Sequence, residues 1–427
     1  MSDMTCLAEN YVVPADFEKT GVNLNEIVVG PTGCGKSFST AYPRLLHTFE
    51  SSVVVPIAKG AIKDNFAQMF IDRGYEVIDL NFANPGECTV GYDPMDYIKS
   101  NEDVIQTARN FIGGLSKNRN GDADPYWNDS ATSVLAAVIA LVRIRAERKK
   151  KKPTFAEVVK TYRGMKIDYE RGDVRTSLDS EFVVLEHTMP GNQASELWKT
   201  VKNLSSRTAS CIFSIVNSSL DKIFTKDIIE MTGKRRGVSF RRLGERKTAL
   251  FITTSPMNLT LQNYVNVMYS DMFRELFETA ESRENYRLKV PVHIICDDFA
   301  CGSRISNFEN YISIFRAAGI SSTLLLQSES QLTDMYGDTA ATTIINNCDT
   351  YVYMGGMDIP TCNHIAQRLN KPLHRVMSMP LEQVVVFRRG MEPVVSRRYQ
   401  LLDDPLYANL QEQKKTNCTK PDERASA

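Results

Sequence analysis

Two short stretches of this chain carry residue types that could handle phosphate. The first, GPTGCGKS, sets Gly30, Pro31, Thr32, Gly33, Cys34 and Gly35 ahead of Lys36 and Ser37, the G-x-x-x-x-G-K-S spacing. It follows a β-rich run, NEIVV, and precedes a helix-compatible stretch, the context such a loop needs. Glycines let backbone N–H groups curl around phosphate oxygens where side chains would block approach. A helix beginning near Lys36 adds the positive end of its dipole. Lys36 would reach the β- and γ-phosphates of ATP, and Ser37 would set its hydroxyl on Mg2+. A chance match in the right strand–loop–helix setting is rare.

The second stretch is HIICDDFACG, His293 to Gly302, where apolar residues run straight into two aspartates. Behind a phosphate loop, Asp297 at a strand tip is suited to hold Mg2+ through water. The bland alternative, a solvated strand-end aspartate, is disfavoured by the loop upstream. The next position usually carries a glutamate that works on water; here it is Asp298, one methylene shorter. Asp298 would orient or deprotonate water with less reach, so the sequence reads as a slowed ATPase. On reach alone, Asp298→Glu is expected to speed hydrolysis. Gln327 ends the following apolar run, TLLLQS, at the carboxyl edge where open α/β sheets bind ligands. It could sense the γ-phosphate or orient water, although a lone glutamine is a weak sign. Arg316, in IFRAAGI, sits near a helix end, where an isolated arginine is usually only a favourable terminal charge.

These residues have to be carried by a sheet. Strands are expected near Ser52 to Pro56 and Tyr75 to Leu80, and again in KTALFITTSP, VPVHIICDD, ISSTLLLQS, DTYVYMGG and EQVVVFRRG, separated by helix-length segments. That alternation predicts an α/β class fold with a doubly wound, mostly parallel sheet. Asp297 lies more than half the chain beyond Lys36, so something is inserted. The run between is helix-patterned and charged, with a cap expected at Ser100 or Asn101. We therefore expect an N-terminal extension at 1–24, a nucleotide-binding domain at 25–97 and 237–403, an all-helical insertion at 98–236, and a flexible polar tail at 404–427.

Composition narrows the classes. The 51 basic residues balance 51 acidic ones, which argues against a generally cationic coat for nucleic acid but leaves local patches open. Nine cysteines without regular spacing read as a reduced cytosolic protein. The most apolar helical run, Ser133 to Val142, is far shorter than the roughly 20 residues a bilayer span requires. The N-terminus lacks signal-peptide order. His293, Cys296 and Cys301 do not have metal-ligand spacing. Trp127 and Trp198 read as core anchors.

Several blocks together resemble one family: the phosphate loop, KG after the second strand, DPYW, KTALFI, DDFA with NFENYISIFRAAGISSTLLLQSESQLTDMYGD, NNCDTYVYMGG and VVVFRRGMEP. They are similar to the conjugative DNA-transfer coupling proteins, the TraG/TraD-like ATPases of type IV secretion. The likeness runs from about Asn25 to Leu402 and is most specific from Asp297 to Gly356. It implies a RecA-like P-loop domain interrupted by an all-helical domain that recognises cargo. It also implies a ring, hexameric when active, that binds ATP and Mg2+ between subunits. Such a ring moves single-stranded DNA with its attached relaxase into a secretion channel at the cytoplasmic membrane. By position, Lys36 and Ser37 bind phosphate and Mg2+, Asp297 holds the metal, Gln327 is the sensor, and Arg316 matches the arginine pushed into a neighbour's site.

Three departures stand out. Asp298 replaces the glutamate. Ile57 and Ala61 stand where the family has acidic residues around KG. Residues 1–24 leave no room for the family's membrane helices, so a separate membrane-anchoring partner is expected, with this chain cytoplasmic and peripheral. Two basic runs stand out: Arg143 to Pro153 is a solvated loop in the plain reading and a nucleic-acid or acidic-cargo contact in the sharper one, and Gly233 to Lys247, at the return from helical insert to sheet, is a candidate DNA contact with Phe240 as its aromatic. Rival functions are a nucleotide-switched adaptor that barely hydrolyses, favoured by Asp298, and a DNA translocase outside conjugation.

Overall fold

The computed structural model describes residues 1–57, 62–88, 90–113, 125–169, 174–255, 259–299 and 304–418. In chain order the strands are β1 (Met4–Ala8), β2 (Tyr11–Pro14), β3 (Glu26–Val29), β4 (Ser52–Ile57), β5 (Glu76–Asn81), β6 (Ile167–Asp168) and β7 (Arg175–Thr176). They continue with β8 (Thr248–Thr253), β9 (Val292–Cys296), β10 (Ile320–Leu326), β11 (Thr350–Tyr353), β12 (Gln383–Arg388) and β13 (Val394–Arg397). Nine of these form one sheet in the order β13-β12-β11-β3-β10-β9-β4-β8-β5. From β11 to β8 the pairings are parallel, whereas β12 and β13 are added antiparallel. All residues of β3 and β10 are buried, as strands covered on both faces must be. The doubly wound, mostly parallel sheet is the architecture expected from the alternation of strand and helix runs.

The chain divides into two compact units. One comprises Met1–Ile78, Ser239–Pro256 and Leu276–Ala427. Its core joins alternate residues of the sheet, such as Val28, Val53, Val55, Phe251 and Leu325, to Leu45, Phe66, Phe70 and Leu410 on flanking helices. Fully burying Phe66 or Phe70 contributes roughly 1.5–3 kcal/mol each. The extension expected at 1–24 carries β1 and β2, which pair antiparallel within it. One expectation needs correction here. The segment after Asp404 begins as a helix, Pro405–Cys418, whose Leu406, Tyr407 and Leu410 pack on the core. Residues 419–427 of the expected tail lie outside the described residues.

The other unit comprises Asp79–Val238 and Met257–Glu275. It begins earlier than the insertion expected at 98–236 and takes in a later stretch. The reason is aromatic packing: Tyr264 meets the rings of Phe82, Tyr92, Phe111 and Phe224, and Phe155 stacks on Phe224. Helices dominate, including Asn101–Gly113, Pro125–Arg148, Gln193–Lys202 and Ser206–Ile223. It is not all-helical, since β6 and β7 form a small antiparallel pair. Among the described residues no helix is long and apolar enough to cross a membrane.

Candidate nucleotide-binding site

The loop after β3 turns because of its glycines. Gly33 and Gly35 have φ of 82° and 84°, backbone that side chains disfavour. Gly30 is required for space, since a Cβ there would come within 2.7 Å of the Cys34 sulfur and 2.9 Å of Met354. Cys34 closes the turn by donating its N–H to the Pro31 carbonyl. Ser37–Ala41 then opens the helix with a wide turn that continues as Tyr42–Leu46. Lys36 is only 6% exposed, and its Nζ donates to the carbonyls of Gly30 at 2.6 Å and Pro31 at 3.0 Å. The ammonium is thus held at the mouth of the loop.

Parallel pairing brings the second stretch to the first. β10 lies between β3 and β9, so the carboxyl ends of all three open on one edge. Asp297 follows β9, and the Ser37 hydroxyl donates to its carboxylate, 2.8 Å from each oxygen. Burial pushes the Asp297 carboxyl up, and the neighbouring Asp298 adds to that, while Ser37 and Lys36 pull it down. A hydroxyl and a carboxylate converging beside a buried lysine form the oxygen donor pair that Mg2+ takes when phosphates and waters complete its shell. Gln327 follows β10 on the same edge, its N–H donating to Gln331 Oε1.

Asp298 has φ of 53°, left-handed backbone in a residue that is not glycine. Asp and Asn tolerate this region because their short polar side chains bond locally; longer residues rarely adopt it. The aspartate at this position therefore has a backbone reason, which sequence reasoning on reach alone missed.

Arg316 is not brought to this edge. It lies in the last turn of the helix Phe308–Ala318, just before β10 begins. The seven residues of β10 separate the two edges by about 20 Å. Its guanidinium instead stacks 3.8 Å above the Phe17 ring. It borders a cavity of about 350 Å3 that Arg44 and Arg287 also line. Arg316 cannot serve the phosphate loop of its own chain.

A residue the sequence reading passed over does reach the loop. Arg398, just past β13, donates from Nη1 to the Cys34 carbonyl at 2.8 Å. The sequence carries no signal for it, since VVSRR does not alternate in polarity; in the structure Val394, Ser396 and Arg398 are partly buried and Val395 and Arg397 exposed.

Other expected residues fall elsewhere. Phe240 is fully buried and offers no stacking face, and Trp127 is 37% exposed rather than a core anchor. Trp198 is an anchor, stacked on Phe182 at 4.4 Å. Both basic runs are partly spent on internal pairs: Arg145 with Glu181, Lys152 with Asp96, Arg241 with Glu245, and Arg242 and Arg246 with Glu76. Ala61, Cys301 and the KG at 59–60 lie outside the described residues.

The sequence matches the family described as type IV secretory system conjugative DNA transfer over residues 11–372. It is 18% identical over 378 residues to Protein VirD4 of Agrobacterium fabrum, which covers 87% of this chain and 53% of that protein. The chain thus spans about half the length of that curated relative. In three dimensions it is similar to the bacterial conjugative coupling protein TrwBdeltaN70 in complex with sulphate. That match has a TM-score of 0.65 and 18% identity, covering 93% of this chain and 89% of the other. It is also similar to the plasmid coupling protein TrwB in complex with ADP and Mg2+, with a TM-score of 0.64, 18% identity and coverage of 95% and 92%.

Proposed function

The chain belongs to the type IV secretory system conjugative DNA transfer family, and from that premise we propose that it is an ATP-driven coupling protein. In this reading it recruits relaxase-bound single-stranded DNA and drives it into a type IV secretion channel, working as a ring with ATP between subunits. The observation that carries the nucleotide part is the contact of Ser37 with both Asp297 oxygens at the mouth of a phosphate loop. The TrwB structure in complex with ADP and Mg2+ supports the same cofactors for this chain.

The loop N–H groups from Gly33 to Ser37 bind phosphate, and Lys36 moves from its carbonyl partners onto the β- and γ-phosphates. Ser37 and Asp297 would hold Mg2+, which would neutralise charge on the phosphate oxygens. Gln327 fixes the orientation of the terminal phosphate or the attacking water, and Asp298 accepts the water proton. Arg316 reaches the terminal phosphate bound by a neighbouring subunit. Most of the barrier reduction is positioning and charge stabilisation, which is why one short carboxylate still permits turnover.

The test is the ATPase rate against protein concentration, with and without single-stranded DNA. We expect a rate per chain that rises with concentration and is stimulated by single-stranded DNA. A rate independent of both would favour the nucleotide-switched adaptor, for which the unusual Asp298 is the specific support. Stimulation by double-stranded DNA alone would favour a translocase outside conjugation.

A further inference from the structure

We propose that Arg398 is a positioning residue of the nucleotide site, supplied in cis by the antiparallel hairpin at the sheet edge. This rests on the reading of Gly30–Ser37 as a nucleotide-binding loop and adds a residue to it. Topology explains how a side chain so distant in sequence arrives there. β11 is parallel to β3, β12 antiparallel to β11, and β13 antiparallel to β12. β13 therefore runs parallel to β3, and its carboxyl end opens on the same edge as the phosphate loop. Three strand spacings separate the two strands, about 14 Å, a gap that an extended arginine and the loop can close between them.

The backbone of Arg398 is fixed on both sides, its N–H donating to Glu382 and its carbonyl accepting from the Gln400 side chain. Alternation along β13 turns the side chain to the face on which Val394 and Cys34 pack. Nη1 then bonds the Cys34 carbonyl. A Cβ on Gly35 would lie 3.2 Å from that same nitrogen, so Gly35 provides room for the guanidinium as well as its positive φ.

Holding a loop carbonyl away from the phosphate side keeps the neighbouring N–H groups turned toward it. The charge matters too. Among the described residues no carboxylate pairs with Arg398. A half-buried guanidinium without a counterion, seated on a phosphate loop, lacks an anion that a nucleotide's phosphates supply.

The experiment measures ADP and ATP affinity with Mg2+ for the full chain, Arg398→Ala, Arg398→Gln and Arg398→Lys, together with melting temperature without nucleotide. Lys36→Ala serves as the reference for a lost site. Arg398→Ala and Arg398→Gln should each weaken both nucleotides about tenfold, the size of a charge-assisted hydrogen bond. Arg398→Lys should recover to within about threefold of the parent, and nucleotide-free melting should not change. Parent-like affinity in Arg398→Gln overturns the charge role, and parent-like affinity in Arg398→Ala overturns the proposal. A loss that tracks a fall in nucleotide-free melting and is not recovered by lysine makes Arg398 a fold residue and also overturns it. If the parent chain binds no nucleotide, the underlying reading of the loop fails instead.

Discussion

The carboxylate at position 298 is constrained from two directions. The proposed mechanism asks it to sit near water beside Asp297, and the backbone asks for a residue that accepts φ of 53°. Strain of this kind costs on the order of 1–3 kcal/mol in residues that do not suit it. We therefore expect Asp298→Glu to lose about 1 kcal/mol of stability and to gain no ATPase rate, reversing the expectation from reach alone. Thermal unfolding and steady-state hydrolysis check this; a glutamate variant that is both faster and as stable as the parent would sink it. Asp298→Asn keeps the backbone preference and removes only the charge. It should fold as the parent does, bind nucleotide, and lose hydrolysis by about 10²–10⁴, the usual contribution of a positioned base. Removing that charge also relieves one of the influences holding the Asp297 carboxyl up. The loop itself was legible because local spacing determines it, and the Asp297 contact because parallel strands bring their carboxyl ends together. The backbone angle at 298 was not, since it depends on how Phe299 is anchored to the Leu325 carbonyl.

Elements show where local pattern stops being informative. The helix Pro405–Cys418 reads as a polar tail because, among its described side chains, Leu406, Tyr407 and Leu410 are the apolar ones packed on the core, too few to mark a stripe. Asp404 anchors its start by accepting from the Leu406 N–H and pairing with His47 at 2.7 Å. Ending the chain after Asp404 should therefore lower the melting temperature of the sheet unit rather than leave it unchanged, as loss of a frayed tail would. The helical unit carries a different signature. Burial pushes the Asp93 carboxyl up to about 7, and that of Asp271 also to about 7 despite Arg274 at 2.7 Å. Both folded values exceed the unfolded value of 3.8. The folded form thus keeps the proton, and stability present below about pH 4 is lost as pH rises toward 7. The two tryptophans, Trp127 and Trp198, lie in this unit, so their fluorescence reports its unfolding. Asp93→Asn retains the acceptor used by the N–H groups of Met95 and Phe155. It should melt higher than the parent near neutral pH and depend less on pH. A variant with the parent's pH dependence would show that Asp93 is not one of the groups responsible.

At the scale of the whole molecule the decisive residue is Arg316, because the sheet places it on the edge opposite the phosphate loop. About 20 Å of β10 excludes a role in its own site, and the Phe17 ring at 3.8 Å holds the guanidinium beside an open cavity. In the proposed ring it serves the site of a neighbour instead. That role would take a head-to-tail contact, the kind that closes into a ring. An arginine entering in trans contributes about 10³–10⁵ to turnover in phosphoryl transfer, so Arg316→Ala should bind nucleotide and hardly hydrolyse it. Lys36→Ala should fail at binding while still presenting an intact arginine. Mixed in equal amounts, two inactive variants form sites with a sound loop on one side and a sound arginine on the other. Random assembly of a head-to-tail ring makes about one interface in four of this kind, so up to about a quarter of the parent rate should return. Phe17→Ala should lower the rate in the same direction as Arg316→Ala, with nucleotide affinity unchanged, because cation–π stacking holds the side chain in place. Rings that form from the mixture and remain as inactive as either parent variant would remove Arg316 from the site. They would also leave its stacking on Phe17 as packing alone.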